Sequence, residues 1–248
     1  RDRLRSRGLG DVYKRQQMCD PETNQEYLKG KPYTSYGELA AYYRIQVAAD
    51  EEGTASVAVT ESMMQMWGIT KEQLHKDAMQ AAHARSPVCL YDMEEVMAES
   101  IFSVKPENLF NREEPLDIGF VPIYILTNQD KLNGASVSAQ EGVLEKVAEL
   151  LGTNYYVLPS SIHELLILPD NGSMQLSELE AMVREVNATQ VAPEDRLSDK
   201  VQYYDRETKL LQRGQEKSVL GRLSDKKAQL QQADHTAPKQ PHRSEVSL

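Results

Sequence analysis

From Ala41 to Thr60 the apolar side chains alternate: Tyr43, Ile45 and Val47 come first, and Val57 and Val59 follow the turn-like Asp50-Glu51-Glu52-Gly53. A period of two predicts a β-hairpin, because successive strand residues face opposite sides of a sheet. A short helix is expected over Glu61–Trp67, and another from Thr70 to about Ala84, where Thr70 and Gln73 have capping-box spacing and Pro87 stops the chain. Glu94–Phe102 is a further short helix candidate. Lys105–Asp117, with two prolines and four acidic residues, reads as a surface connection.

Downstream, the apolar run Phe120–Thr127 predicts a strand, Asn128–Asn133 a turn, and Gly134 to about Ser138 a second strand that completes a hairpin. Glu141–Leu151 carries Val143, Leu144, Val147, Leu150 and Leu151 on one helical face, with the helix terminator Gly152 next. Tyr155–Leu158 and His163–Leu168 read as strands. Ser173 is placed to cap a helix striped by Leu176, Leu179, Met182, Val183 and Val186 and ending near Asn187. The resulting order, ββα-ββα from Phe120, predicts an α+β fold: a mostly antiparallel sheet built from β-hairpins, with helices packed on one face. Residues 17–206 form this domain, with a seam between two subdomains near 105–118 left open. Residues 207–248 are expected to be a polar tail, loosely helical over Glu207–Gln232 despite Gly214 and Gly221, then disordered from Ala233.

The first sixteen residues stand apart. Asp11-Val12-Tyr13-Lys14-Arg15-Gln16 translates the codons GAT GTG TAT AAG AGA CAG, a string that resembles the transposase end sequence used in sequencing libraries. Residues 1–16 are therefore expected to be an adapter-derived scar without packed contacts, with the protein's own sequence starting at Gln17. Setting them aside moves the formal charge from −10 to −14. Within 17–206, 14 Lys/Arg face 31 Asp/Glu, whereas 207–248 carries 8 against 5. So acidic a body disfavours direct nucleic-acid binding, which requires clustered cations on phosphate. The two cysteines, Cys19 and Cys89, form neither a disulfide framework nor a metal-ligand pattern, which points to a cytoplasmic protein. No apolar run reaches bilayer-spanning length.

Candidate chemistry concentrates in Pro159-Ser160-Ser161-Ile162-His163-Glu164. Ser161 and His163 have the residue types of a nucleophile and its base, and a serine needs such a base to act. On a strand, however, Glu164 would face away from both, and no G-x-S-x-G elbow is present. His163-Glu164 also lacks the second histidine of a zinc helix, since Ile167 occupies that position. His75 and His83 fall on an expected surface helix. Neither a phosphate loop nor a dinucleotide fingerprint occurs, so no metal and no cofactor is expected. Asn187-Ala188-Thr189-Gln190 reads as a helix cap and turn, and Trp67 with Met63, Met64 and Met66 as a packing face.

The string Tyr156–Glu164, together with Met182–Gln190, Leu197-Ser198-Asp199, Asn133-Gly134-Ala135, Gly142-Val143-Leu144 and Trp67-Gly68-Ile69-Thr70, resembles the bacterial family known as domain of unknown function 5688, abundant in anaerobic gut Firmicutes. The resemblance covers about Lys31 to Arg206 and implies a cytoplasmic accessory protein, often encoded among mobile-element genes, preceded in its family by a further N-terminal region absent from this chain. It carries over no site residue. The expected function is a non-enzymatic interaction or regulatory module with a protein partner; in one version the acidic body competes with DNA for a DNA-binding partner. The alternative is a serine hydrolase using Ser161 and His163.

Overall fold

A computed structural model describes residues 14–50, 53–85, 87–118 and 122–215. In chain order the elements are β1 (Lys14–Cys19), α1 (Gln25–Leu28), β2 (Tyr33–Tyr36), β3 (Leu39–Asp50), β4 (Gly53–Ala58), α2 (Glu61–Trp67), α3 (Lys71–Arg85), β5 (Val88–Asp92) and α4 (Met93–Phe102). There follow β6 (Tyr124–Asn128), α5 (Val143–Leu151), β7 (Tyr155–Leu158), β8 (Leu165–Pro169), α6 (Leu176–Thr189), β9 (Gln202–Asp205) and β10 (Leu210–Arg213). Among the described residues the strands form two antiparallel sheets: β1-β3-β2, with β4 also on β3, and the six-stranded order β10-β9-β7-β8-β6-β5. The fold is α+β.

The main core joins the sheets. Met18, Leu39 and Ala41 of the smaller sheet pack with Leu90, Leu126, Val157, Leu165 and Ile167 of the larger, and Val143, Val147, Leu150 and Leu151 of α5 close the cluster. On β7, Tyr155 and Val157 point into it, whereas Tyr156 and Leu158 meet Leu176, Leu179 and Val183 of α6 in a second cluster. Alternate strand residues face opposite sides. Hence α5 and α6 lie on opposite faces of the six-stranded sheet, correcting the expectation of helices on one face: each stripe needs an apolar partner, and both faces of β7 and β8 supply one. Leu74 and Ala78 of α3 cover Tyr43 and Ile45 of the smaller sheet and Val59 just beyond β4, joined by Met63, Met64 and Trp67. Met66 is 81% exposed and does not share that packing.

Several local expectations change. Lys14, Arg15 and Gln16 pair with Ile45, Arg44 and Tyr43, and Lys14 meets Asp77 at 2.6 Å, so at these three positions the expected lack of packing fails. The reason is that ladder hydrogen bonds come from backbone, which any residue but proline supplies. Positions 1–13 lie outside the described residues. Gly134–Ala139 is a 3-10 turn instead of a strand. The Ser136 and Ser138 hydroxyls donate to the carbonyls of Asn133 and Ala135, three residues back, and so favour a coil over a ladder. The helix expected from Ser173 begins at Leu176, where the Gln175 N–H donates to the Glu178 carboxylate at 2.9 Å. Only half of the capping box expected at Thr70 forms: Gln73 N–H donates to Thr70 Oγ1, but the Gln73 side chain turns to Asp77. Leu210–Arg213, expected to be loosely helical tail, pairs as β10 with β9; the remainder of that span, from 216, lies outside the described residues.

β5 is an edge strand whose exposed backbone is covered. The Asn108 carboxamide accepts from Leu90 N–H at 3.0 Å and donates to Val88 O at 3.1 Å, imitating a neighbouring strand. Among the described residues no helix is long and apolar enough to cross a membrane.

Candidate functional site

The segment bearing Ser161 and His163 is a turn. His163 lies before β8, not on it, because its backbone groups are taken by side chains: its N–H donates to Ser161 Oγ at 3.0 Å and its carbonyl accepts from Thr127 Oγ1 at 2.8 Å. The ladder starts at Leu165, opposite Leu126. Both ring nitrogens are engaged. Nδ1 accepts from the Asn133 N–H at 3.1 Å, which places the proton on Nε2, and Nε2 lies 3.2 Å from Asp195 Oδ1. Asp195 is a partner that the sequence did not reveal, since no local motif links the two positions. Ser161 Oγ accepts from backbone and Ser161 bridges to Arg196, so the pair brought close in sequence is not a hydroxyl donating to an imidazole. Burial pushes the Glu164 carboxyl up, against the opposing pull of Lys131 and His163.

Gly134 sits beneath this turn. A β-carbon there would lie 2.1 Å from Thr127 Oγ1, 2.4 Å from His163 O and 2.9 Å from Asn128 N, so only glycine fits. The Ala135 N–H donates to Ile162 O and the Ile162 N–H to Asp195 O, which locks the 3-10 turn, the histidine turn and the 195–198 loop together.

A second polar cluster joins the start of the chain to that loop. Asp20 is 3% exposed; it accepts from Ser198 Oγ at 2.8 Å and from the Glu22 N–H at 2.9 Å, with Lys200 Nζ at 3.4 Å. Burial alone would raise its carboxyl, but Ser198, the Glu22 amide and Lys200 outweigh that and hold it below the ordinary carboxylate value. Asn187 does not cap α6, which continues to Thr189; its Nδ2 donates to Ser198 O and to Asp199 Oδ1. Among the described residues no group of three His, Cys, Asp or Glu is arranged to hold a metal ion.

A sizeable opening lies elsewhere, in a cleft of about 740 Å³ beside β2 and α3. Tyr36 of β2 is on its floor, α3 supplies one wall through His75, Lys76, Met79 and Gln80, and the junction of the 3-10 turn with α5 supplies the other through Ala139, Gln140 and Glu141. His75 is half-buried here, not a plain surface residue: its Nδ1 lies 3.0 Å from the Tyr43 hydroxyl, which contacts Thr34 Oγ1 at 2.7 Å. Burial, reinforced by Tyr43, pushes the Tyr36 phenol up to about 12, so it remains a protonated donor at neutral pH. No local motif signals this constellation, because its residues lie on separate elements far apart in the chain.

An α+β domain with two antiparallel sheets and a cleft beside β2 and α3 is thus defined. The chain belongs to the family of unknown function DUF5688, whose model matches residues 15–206 and so takes in both the histidine turn and the cleft. Neither a curated protein nor a solved structure matches the chain significantly.

Proposed function

We propose that this domain is a non-enzymatic binding module that uses the cleft between α3 and the 3-10 turn. The observation that carries the proposal is the cleft itself: its volume falls in the range of about 300–1,000 Å³ usual for ligand sites, and it combines an apolar floor with polar groups converging from both walls. The committed ring of His163 supports the same view, since a base already holding two partners is not poised to activate Ser161. A fragment library screened by amide NMR should first shift residues at Met79, Ala139 and Gln140, and the bound fragments should be recovered chemically unchanged. Turnover of a fragment, or stoichiometric labelling of Ser161 by a fluorophosphonate that vanishes in His163→Ala, would replace the module with a hydrolase.

A further inference from the structure

We infer that the cleft takes an extended peptide segment of a partner protein, one that carries an aromatic or long aliphatic anchor between an acidic and a basic residue. The inference rests on the binding-module proposal and names the ligand class of the same site. Four features select a peptide. Tyr36 on the floor and Met79 on the α3 wall both line the cleft and are both half-buried, and an apolar anchor would complete the burial of these adaptable surfaces.

Gln80 and Gln140 face the opening from opposite walls, and neither side chain hydrogen-bonds another described residue. A carboxamide offers both a donor and an acceptor, the pairing that main-chain amides need. Charge sets the flanks: Lys76 stands on one wall and Glu141 on the other, and neither is in an ion pair with a described residue. A segment with one acid and one base satisfies both, whereas a nucleic-acid strand would bring phosphate against Glu141 and an acidic body. Tyr36 ends β2, which pairs only with β3 among the described residues, so an extended segment leaving the cleft meets a sheet edge suited to extended backbone.

The test selects phage-displayed random linear heptapeptides on the immobilised full chain, then measures enriched peptides, fluorescein-labelled, by anisotropy. Peptides with a large apolar centre flanked by opposite charges should emerge. Met79→Asp should weaken them by about tenfold or more, as should the bulky rim substitution Gln80→Trp, which is exposed and leaves the core untouched. Lys76→Glu and Glu141→Lys should each weaken binding several-fold and shift a repeat selection toward the reversed charge order. Peptides that bind Met79→Asp and Gln80→Trp as well as wild type would overturn the cleft as their site while leaving a binding module in place elsewhere. Failure to enrich any peptide, with fragments still shifting the cleft amides, would overturn the peptide class alone. Absence of both peptide enrichment and fragment shifts would remove the module proposal as well.

Discussion

Gly134 shows how tightly one position can be constrained. Its missing β-carbon leaves room for the Thr127 hydroxyl and the His163 carbonyl, so Gly134→Ala must displace backbone and should cost about 1–3 kcal/mol or more, measured as a lower urea midpoint. Ser161→Ala should cost only about 1 kcal/mol, the worth of one turn hydrogen bond. Asp20 gives a pH signature. Because its folded carboxyl titrates below the ordinary value, the stability it contributes is complete above about pH 4 and is lost as pH falls through the lowered value. Asp20→Asn should therefore be less stable than wild type at pH 7, and the gap between their urea midpoints should narrow as pH falls below about 4. A gap independent of pH would remove Asp20 from the account. Next to it, burial and the Asp20 charge push the Cys19 thiol to about 11. Iodoacetamide at pH 8 should leave Cys19 intact until the chain is unfolded.

The elements most legible in the sequence are those whose signals are local. α2 spans Glu61–Trp67 as expected, with Thr60 Oγ1 accepting from Met63 N–H at its start and left-handed Gly68 at its end. α5 ends at left-handed Gly152 for the same reason. α6 extends two residues past its expected end, because Asn187, a turn former by propensity, is fully employed in tying the helix to Ser198 and Asp199. Leu179 at the centre of the α6 stripe is fully buried against β7 and β8, so Leu179→Ala should cost about 2–5 kcal/mol by calorimetry or denaturant titration, and Leu179→Asp should prevent folding. A Leu179→Asp chain that melts within a degree or two of wild type would show that α6 does not pack as described.

Across the whole molecule, the two sheets share one core: Met18, Leu39 and Ala41 lie in the same cluster as Leu126 and Ile167. Unfolding should accordingly be a single transition. Trp67 fluorescence, which reports the cluster under α3, and far-UV circular dichroism, which reports both sheets, should give coincident denaturation curves. Two separated transitions would mean that the sheets are independent units. The Asp20–Ser198 hydrogen bond reinforces the union, closing a separation of 178 residues with buried groups that cannot be left unpaired without cost.

Hydrophobic period, caps and terminating glycines are set by residues within about four positions of one another, which is why most helices, the β3–β4 hairpin and the α+β class follow from the chain read in order. Which face of the sheet each helix covers is not local. It depends on the register of β7 against β8 and β9, and that register puts Val157 toward α5 and Leu158 toward α6. Likewise, the Ser161–His163 spacing is visible in sequence, but the fate of the imidazole is decided by Asn133 and Asp195, brought in from other loops by the closure of the sheet. The cleft goes furthest in this direction: it is a space left between β2, α3 and the 3-10 turn, and a space between elements exists only once they have packed.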